Sequence, residues 1–273
     1  MNTDTLISVV APLHNDADIV AGFVDEVLGV LSSAFTHYEL VLVDDGSLDA
    51  TPDVVNEVLE RHEFVRCIQL SRHFGEDAAI SAGLESVIGD FAVVMLPNSD
   101  PPSLIPDLLE RARGGVDVVY GVRTSRGDER LWARWGAAFF YWYSQRVMKL
   151  GLPKNSTHFR CLSRRALNAL LRIRDRSRYL RLFTSYIGYR SEPFPYAPAN
   201  RRGRHAGRGS MESLELALTL VIDNSPHPLR LVSGVALVAG LMNVVYALYV
   251  VLIYAFKSDV AEGWVTLSLQ NAL

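Results

Sequence analysis

The sequence predicts an α/β fold with a mainly parallel sheet, followed by C-terminal helices of a membrane-associated type. Two observations support this prediction. Short, continuous apolar runs alternate with helical patterns through residues 1–120, which is typical of βαβ units. Near the C-terminus, 26 consecutive residues carry no charge, from Leu231 to Phe256. This stretch accounts for the apolar excess of the chain, whose mean hydropathy is +0.14.

The order of elements follows from these runs. Five apolar runs have the length and composition of buried strands, at 6–13, 38–47, 64–71, 91–96 and 116–122. Helical periodicity fills the intervals at 19–35, 52–61 and 75–89. Strands that are apolar throughout and are separated by helices form a parallel sheet covered on both faces. Because right-handed crossovers bring the carboxyl ends of such strands to one edge, we expect a ligand site there.

The pattern changes after residue 125. An aromatic-rich helix is predicted at 131–151, and a short strand followed by a helix at 159–171. A basic cluster, RRGRHAGR, occupies 201–208. The following segment, 210–225, has the pattern of an amphipathic helix that lies in a membrane interface.

The uncharged stretch predicts a transmembrane helix. An apolar run of about 20 residues already spans a bilayer as a helix, and the alternative, a buried core helix, rarely needs such length. Arg230 and the basic cluster precede the helix, and an excess of arginine marks the cytoplasmic side of a membrane. We therefore expect the α/β domain in the cytoplasm, at the inner membrane. The predicted boundaries are 1–208 for the α/β domain, 209–228 for the juxtamembrane helix, 229–257 for the transmembrane helix and 258–273 for the start of a second, truncated one.

Composition and cysteine usage argue against several functional classes. The formal net charge is −3 and the basic cluster lies next to the predicted membrane helix, which argues against a nucleic-acid partner. No G-x-G-x-x-G follows the first strand, which disfavours a nicotinamide-dependent dehydrogenase. Cys67 and Cys161 lie in apolar, strand-like surroundings, so we interpret both as reduced structural thiols.

The segment VLVDDGSLDAT at 41–51 is the first candidate for a binding site. Asp44 and Asp45 end an apolar strand at the expected ligand edge. A carboxylate there can accept hydrogen bonds from a base N–H or from ribose hydroxyls. Gly46 allows the tight turn that follows. The alternative interpretation is a turn whose aspartates cap the next helix.

Six further motifs occur in order with this one. The seven lie at Pro12–Asn15, Asp44–Asp49, Ser71–Gly75, Asp100–Pro102, Gly121–Arg123, Phe159–Arg164 and Arg201–Ser210. In their order and spacing the chain resembles the GT-A glycosyltransferases of family 2. It is most similar to the polyprenyl-phosphate glycosyltransferases, which include the dolichyl-phosphate mannose synthases and the bacterial bactoprenol glucosyltransferases.

The resemblance implies a Rossmann-like GT-A domain that transfers a sugar, with inversion, from a nucleotide-sugar donor to a polyprenyl phosphate in the bilayer. It favours a UDP-sugar as donor and a homo-oligomer packed through membrane helices. The implied nucleotide-binding residues are Pro12, Asn15, Asp44, Asp45, Ser71 and Arg72. The implied phosphate-binding residues are Arg123, Arg201, Arg202, Arg204, Arg208 and Ser210. The implied catalytic residues are Asp100 and Arg160. His158 is a further catalytic candidate, because an imidazole with an ordinary pKa of about 6.5 can orient or deprotonate a reacting group.

The chain departs from the family pattern at three places. The family's D-x-D motif binds Mg²⁺ or Mn²⁺, but here the segment reads FAVVMLPNSDPP and neither alignment restores two acids. Asn98 and Asp100 are the remaining oxygen donors for a hard metal ion. His73 replaces an asparagine of the family pattern. Thr157 and His158 replace a Gly-Asp pair whose acid lies close to the reacting centre.

Two explanations of these departures are open. In the first, the chain is an enzyme in which arginines of the basic cluster replace the metal, since guanidinium groups pair bidentately with phosphate. A lipid phosphate is already an anion near neutral pH, which reduces the need for a general base. In the second, the chain is a catalytically degenerate member that binds a ligand or partner at the membrane. The basic cluster is equally compatible with anionic lipid head groups, and His158 with a structural role.

Overall fold

The computed structural model describes residues 5–124, 156–173, 188–202 and 227–256. The chain divides into two compact units, Met1–Gly209 and Ser210–Leu273. The helices predicted at 131–151 and 210–225, and the segment 258–273, lie outside the described residues.

The described part of the first unit contains strands and helices in alternation. The strands are β1 (Leu6–Leu13), β2 (His37–Asp44), β3 (Val65–Gln69), β4 (Phe91–Val94), β5 (Val118–Arg123), β6 (Ser156–Ser163) and β7 (Ser191–Tyr196). The helices are α1 (Val20–Ala34), α2 (Thr51–Arg61), α3 (Glu76–Ser86), α4 (Ile105–Arg113) and α5 (Arg164–Leu171). A 3₁₀ turn, Pro102–Leu104, leads into α4.

The strands form one sheet in the order β3-β2-β1-β4-β6-β5-β7. Every pair is parallel except those of β6, which runs antiparallel to both β4 and β5. The predicted, mainly parallel α/β sheet is thus confirmed. Asp44 lies in register with Leu13 on β1 and with Gln69 on β3, so these three strands end at one edge. Because β6 is antiparallel, its first residues lie at the same edge.

The sheet separates two apolar layers. Successive side chains of a strand point to opposite faces, so Val9 packs in one layer and Val10 in the other. Helices α1, α2 and α4 cover the first layer, while α3 and α5 cover the second. This covering on both faces explains why the central strands are apolar throughout.

Two elements are absent from the sequence prediction. Helix α4 follows the D-P-P motif, and its buried residues recur at helical spacing, at Ile105, Leu108, Leu109 and Ala112. Strand β7 contains Pro193 and Pro195, which have no N–H to donate and therefore disfavour a strand. Such residues are tolerated at the edge of a sheet, where β7 lies. Its last residue, Tyr196, is buried and in register with Arg123 at the end of β5.

The described part of the second unit is one helix, α6 (His227–Phe256). Its segment Val232–Ile253 has 22 residues and a mean hydropathy of 2.3, so by length and composition it can cross a membrane. Large apolar side chains such as Leu237 and Leu241 are exposed on it. A core helix of a soluble domain buries such side chains. The apolar helix predicted at 231–256 is confirmed as a helix, and its insertion into a bilayer stays a prediction.

Glu39 is a buried carboxylate near the start of β2, far from the ligand edge. It accepts hydrogen bonds from the Ser8 hydroxyl, from the Ile88 N–H at 2.9 Å and from the Arg66 guanidinium at 2.6 Å. Burial by itself raises the pKa of Glu39, but the three donors outweigh burial and the pKa is lowered. A carboxyl group with a lowered folded pKa contributes stability above its unfolded pKa. That contribution is lost as the pH falls through the folded pKa.

We expect the free energy of unfolding of Glu39→Gln to fall less at acid pH than that of the unmodified chain. The unmodified chain loses the contribution of Glu39 as the pH falls below the ordinary pKa of 4.5, whereas the glutamine variant has none to lose. Urea unfolding of the full chain in detergent, at neutral and at acid pH, measures the difference. Glu57→Gln is the control, because Glu57 forms an exposed pair with Arg61. The expectation fails if Glu39→Gln and the unmodified chain lose equal stability in acid.

Candidate functional site

The carboxyl edge of the sheet holds the candidate site. The loops that follow β1, β2, β3 and β4 meet there, at 14–19, 45–50, 70–75 and 95–101. The first residues of β6 reach the same edge. Open α/β sheets bind ligands at such an edge. Hydrogen bonds between these loops fix the positions of their polar side chains.

The loops after β1 and β2 are tied to each other. The N–H of Asn15 donates to Ser47 Oγ at 2.9 Å, and the N–H of Leu48 donates to Asn15 Oδ1 at 2.9 Å. Asn15 has a φ of 54°, in the left-handed region that asparagine tolerates better than most residues. Pro12 is a buried residue of β1, directly before this loop. The predicted P-x-x-N and D-D-G-S segments therefore lie side by side.

Asp44 is buried at the end of β2, and its two carboxylate oxygens differ in their hydrogen bonds. Its Oδ1 accepts the N–H of Ser47 at 3.0 Å. Its Oδ2 has no hydrogen-bond partner among the residues that the structure describes. The residue is 1% exposed. A buried carboxylate oxygen without a donor costs free energy, and a ligand that donates an N–H to it removes that cost.

The Asp45 carboxylate is engaged by the loop after β3. Oδ1 accepts the N–H of Phe74 at 2.7 Å, and Oδ2 accepts the N–H of Gly75 at 2.8 Å. His73 Nδ1 lies 2.8 Å from Oδ2. These contacts hold residues 73–75 against the end of β2, directly before α3. Asp45 therefore organises this loop, and its predicted contact with a nucleoside stays a prediction.

Gly46 permits the close approach of the same two loops. Its φ of 63° lies in a region that L side chains rarely adopt. A Cβ atom at this position would lie 2.4 Å from the carbonyl carbon of Arg72 and 2.6 Å from the backbone nitrogen of His73. The strand predicted at 38–47 ends at Asp44, because this backbone conformation does not continue a strand.

His14, Asp45 and His73 form a compact polar group. Their metal-ligating atoms all lie within 4.8 Å of one another, and the two imidazole rings stack with centroids 4.0 Å apart. Imidazole and carboxylate groups are common ligands of Zn²⁺. Hydrogen bonds nevertheless account for the group, since His14 Nδ1 lies 3.0 Å from the Asp45 carbonyl oxygen and Nε2 lies 3.2 Å from Asn15 Nδ2. We therefore assign no metal to it.

Asp100 faces the interior of the domain and is 0% exposed. Its Oδ1 accepts hydrogen bonds from the Tyr196 hydroxyl at 2.6 Å and the Ser99 hydroxyl at 3.1 Å, and Oδ2 accepts the Leu96 N–H at 2.7 Å. Burial raises the pKa of Asp100, and these donors oppose that rise only in part. Asp100 thus ties the loop after β4 to β7. This orientation gives no support to its predicted catalytic and metal-binding roles.

The segment that stands in place of D-x-D is closed by residues 197–202, here called the strap. Asn98 Oδ1 accepts the N–H of Arg202 at 3.0 Å, and the Asn98 carbonyl oxygen accepts the N–H of Arg201 at 2.9 Å. The Arg201 guanidinium donates to the Pro97 carbonyl oxygen. The oxygens that a hard divalent ion would use therefore already accept N–H groups. The described donor set of this loop does not fit Mg²⁺ or Mn²⁺.

Both arginines of the strap are paired with carboxylates. Arg202 pairs with Asp16 at 2.8 Å and with Asp18, and Arg201 pairs with Glu26. The side-chain hydrogen bond to Asp18 is the main cause that raises the pKa of Arg202. Two cations that face three carboxylates offer no surplus positive charge to a diphosphate. In this arrangement they clamp the loops after β1 and β4 together, and their predicted phosphate contacts stay a prediction.

His158 lies near the start of β6 and is 7% exposed. Its Nε2 is 3.2 Å from Glu76 Oε1, and its Nδ1 is 3.7 Å from Asp77 Oδ1. Both carboxylates belong to the first turn of α3. Arg160, also buried on β6, donates to the Thr157 carbonyl oxygen. The structure thus brings the predicted His158 and Arg160 to the site edge, with two acids that the sequence analysis does not single out.

The other predicted residues lie around this edge or outside the described residues. Arg123 ends β5, and its charge opposes the rise in the pKa of Asp100. Its Nε has no hydrogen-bond partner within the described part of the chain. Ser71 and Arg72 are exposed, and the Arg72 guanidinium lies 4.8 Å from the centroid of the Phe74 ring. The residues outside the described ranges are Arg204, Arg208 and Ser210.

Curated relatives resemble the chain over most of its length. An undecaprenyl-phosphate 4-deoxy-4-formamido-L-arabinose transferase of Pseudomonas paraeruginosa is 30% identical over 250 residues, which cover 91% of this chain and 74% of that protein. A prophage bactoprenol glucosyl transferase homolog of Escherichia coli is 25% identical over 262 residues, with coverage of 96% and 86%. These relatives confirm the resemblance to the polyprenyl-phosphate type.

Solved structures share the fold. Glucosyl-3-phosphoglycerate synthase from Mycobacterium tuberculosis, in complex with Mn²⁺, uridine diphosphate and glucosyl-3-phosphoglycerate, matches with a TM-score of 0.54. The match has 18% identity and covers 80% of this chain and 78% of that chain, so it shows the fold alone. Residues 8–171 match the family described as glycosyl transferase family 2. That match spans more than half of the chain, and the chain therefore belongs to glycosyl transferase family 2 and is a glycosyltransferase.

Proposed function

We propose that this chain transfers a sugar from a nucleoside-diphosphate sugar, preferably a UDP-sugar, to a polyprenyl phosphate at the cytoplasmic face of the inner membrane. Two relatives support the acceptor class, because they are named for undecaprenyl phosphate and for bactoprenol. The 22-residue apolar segment of α6 supports the location, since it is long enough to hold the chain at the bilayer that contains the acceptor. The arginines before this helix support the cytoplasmic side.

The observation that carries the donor class is Oδ2 of Asp44, which has no hydrogen-bond partner among the residues that the structure describes. It lies at the carboxyl end of β2, where open α/β sheets take their ligands. The imide N–H of uracil is the kind of donor that a carboxylate oxygen accepts. The turn next to Asp44 is fixed by two hydrogen bonds, from the Asn15 N–H to Ser47 Oγ and from the Ser47 N–H to Asp44 Oδ1. Asp44 is therefore the residue that we propose for base recognition.

In the proposed reaction, an oxygen of the acceptor phosphate attacks the anomeric carbon of the donor sugar. The new C–O bond forms as the bond from the anomeric carbon to the diphosphate oxygen breaks, and the nucleoside diphosphate leaves with the electron pair. Attack from the opposite face inverts the anomeric configuration. A phosphate acceptor is already an anion near neutral pH, so no residue has to remove a proton from it.

We further propose weak or no dependence on Mg²⁺ or Mn²⁺. The oxygens of the loop after β4 accept N–H groups from the strap, which argues against a divalent ion there. Charge compensation for the leaving diphosphate then falls to arginines, which pair well with phosphate. Arg123 is the candidate among the described residues, because it ends β5 at the site edge and has an unpartnered Nε there. Arg204 and Arg208 are further candidates.

Donor binding and transfer by the full chain in detergent test this proposal. Calorimetry with a panel of UDP-sugars, and transfer of labelled sugar to undecaprenyl phosphate, are run with Mg²⁺, Mn²⁺ or EDTA. We expect binding and transfer that persist in EDTA. Binding of no donor under any condition would overturn the proposal and favour a membrane-tethered family member that binds another ligand. If transfer occurs with Mg²⁺ or Mn²⁺ but is lost completely in EDTA, the proposed independence of a divalent metal is wrong.

A further inference from the structure

The first turn of α3 is fixed at the carboxyl edge from two sides. Directly before it, the N–H groups of Phe74 and Gly75 donate to the Asp45 carboxylate. Beside it, Glu76 Oε1 lies 3.2 Å from Nε2 of the buried His158. Glu76 therefore follows a backbone segment that Asp45 holds in place, and its own side chain contacts His158, although 32% of that side chain is exposed.

Other carboxylates at this edge are more deeply buried than Glu76 or are paired with a guanidinium group. Asp45 and Asp100 accept N–H and O–H groups and are 2% and 0% exposed. Asp16 pairs with the Arg202 guanidinium. Asp77 lies farther from His158, at 3.7 Å, and is 23% exposed. Glu76 lies closer than Asp77 to the buried imidazole of His158, and a larger fraction of the Glu76 side chain is exposed.

We infer that Glu76 faces the donor sugar during transfer and that His158 is its positioning residue. As the bond to the diphosphate breaks, the anomeric carbon gains positive, oxocarbenium-like character. A carboxylate held next to that carbon stabilises the developing charge, and it is most effective when its orientation is fixed in advance. Because only 7% of His158 is exposed, the imidazole is suited to orienting the carboxylate rather than to touching substrate. The inference rests on the proposed function and adds a sugar-facing residue to the same site.

Variants of the full chain in detergent test the assignment. The single variants are Glu76→Gln, Glu76→His and His158→Asn, and the exchange variant combines Glu76→His with His158→Glu. Glu57→Gln repeats the chemical change on an exposed carboxylate of α2. For each protein, kcat and KM are measured for transfer to undecaprenyl phosphate, donor affinity by calorimetry, and stability by thermal melting.

We expect Glu76→Gln to lower kcat by about 100-fold, the effect of removing one preorganised electrostatic group. Donor affinity and melting temperature should change little, because the contact strengthens only as the bond breaks. His158→Asn should lower kcat in the same way. The exchange variant should regain activity that Glu76→His alone lacks, since a carboxylate and an imidazole face each other again.

Three results would overturn the inference. One is a Glu76→Gln variant with the kcat of the unmodified chain. Another is a parallel fall in melting temperature, donor affinity and kcat in Glu76→Gln and His158→Asn, which is what a purely structural pair would give. The third is the absence of transfer by the unmodified chain, which would overturn the proposed function itself and this inference with it.

Discussion

Replacing Asp44 with asparagine is expected to lower the affinity for a UDP-sugar by about 10- to 100-fold, the usual worth of a hydrogen bond to a charged group. The amide has nearly the shape of the carboxylate, but it carries no charge and places an NH₂ group on one of the two oxygen positions. The N–H of the base would then meet a neutral carbonyl or another donor. Because Oδ2 of Asp44 has no partner within the described part of the chain, the fold itself should not lose stability.

Calorimetry on Asp44→Asn and on the unmodified chain measures the affinity, and thermal melting of the same samples measures stability. Asp53→Asn is the matched control, because Asp53 is an exposed carboxylate in the first turn of α2. We expect the control to bind like the unmodified chain. Equal donor affinity in all three proteins would remove Asp44 from the nucleoside site.

Replacing Gly46 with alanine is expected to destabilise the domain and to abolish donor binding together. The left-handed backbone alone costs a non-glycine residue about 1–2 kcal/mol. The added Cβ would also lie 2.4 Å from the carbonyl carbon of Arg72, which is backbone and cannot swing away like a side chain. The loop after β3 must then move off the end of β2, and the contacts of Asp45 with Phe74 and Gly75 break with it.

Gly115→Ala is the control that separates the backbone strain at a positive φ from the steric clash of the added Cβ atom. Gly115 also has a positive φ, of 92°, but a Cβ there meets no atom within 4 Å. We expect Gly115→Ala to lose only the strain energy in urea unfolding and to bind donor normally. If Gly46→Ala matches it in both measurements, the close contact of the two loops has no role in the site.

The signals that predict the fold are local, and so is the part of the site that the sequence identifies. Strands β1, β2 and β4 are short and mostly apolar, and helical periodicity follows β1, β2 and β3 directly along the chain. The D-D-G-S segment follows the apolar part of β2 directly. Its position at the ligand edge can therefore be predicted from the local sequence, without any contact between distant residues. The apolar length of α6 is likewise a property of one segment.

Features that depend on distant residues could not be predicted in this way. Asp100 resembles a site residue in sequence, yet Tyr196, far along the chain, turns its carboxylate inward. Arg202 resembles a phosphate ligand, yet Asp16 and Asp18 neutralise it. Glu76 lies in the first turn of a helix, where acids are common for reasons of helix stability, so nothing local distinguishes it.

The order of strands in the sheet affects how the chain folds during its synthesis. Strands β1 to β4 pair with one another, so a small parallel sheet can form once residue 94 has left the ribosome. Strand β5 has no partner among them, because its neighbours are β6 and β7, and both are made later. An apolar strand with unpaired backbone groups is prone to aggregation until its partner strands have been synthesised. The described part of the sheet is therefore complete only after β7, which ends at Tyr196, has been made, and α6 follows it along the chain.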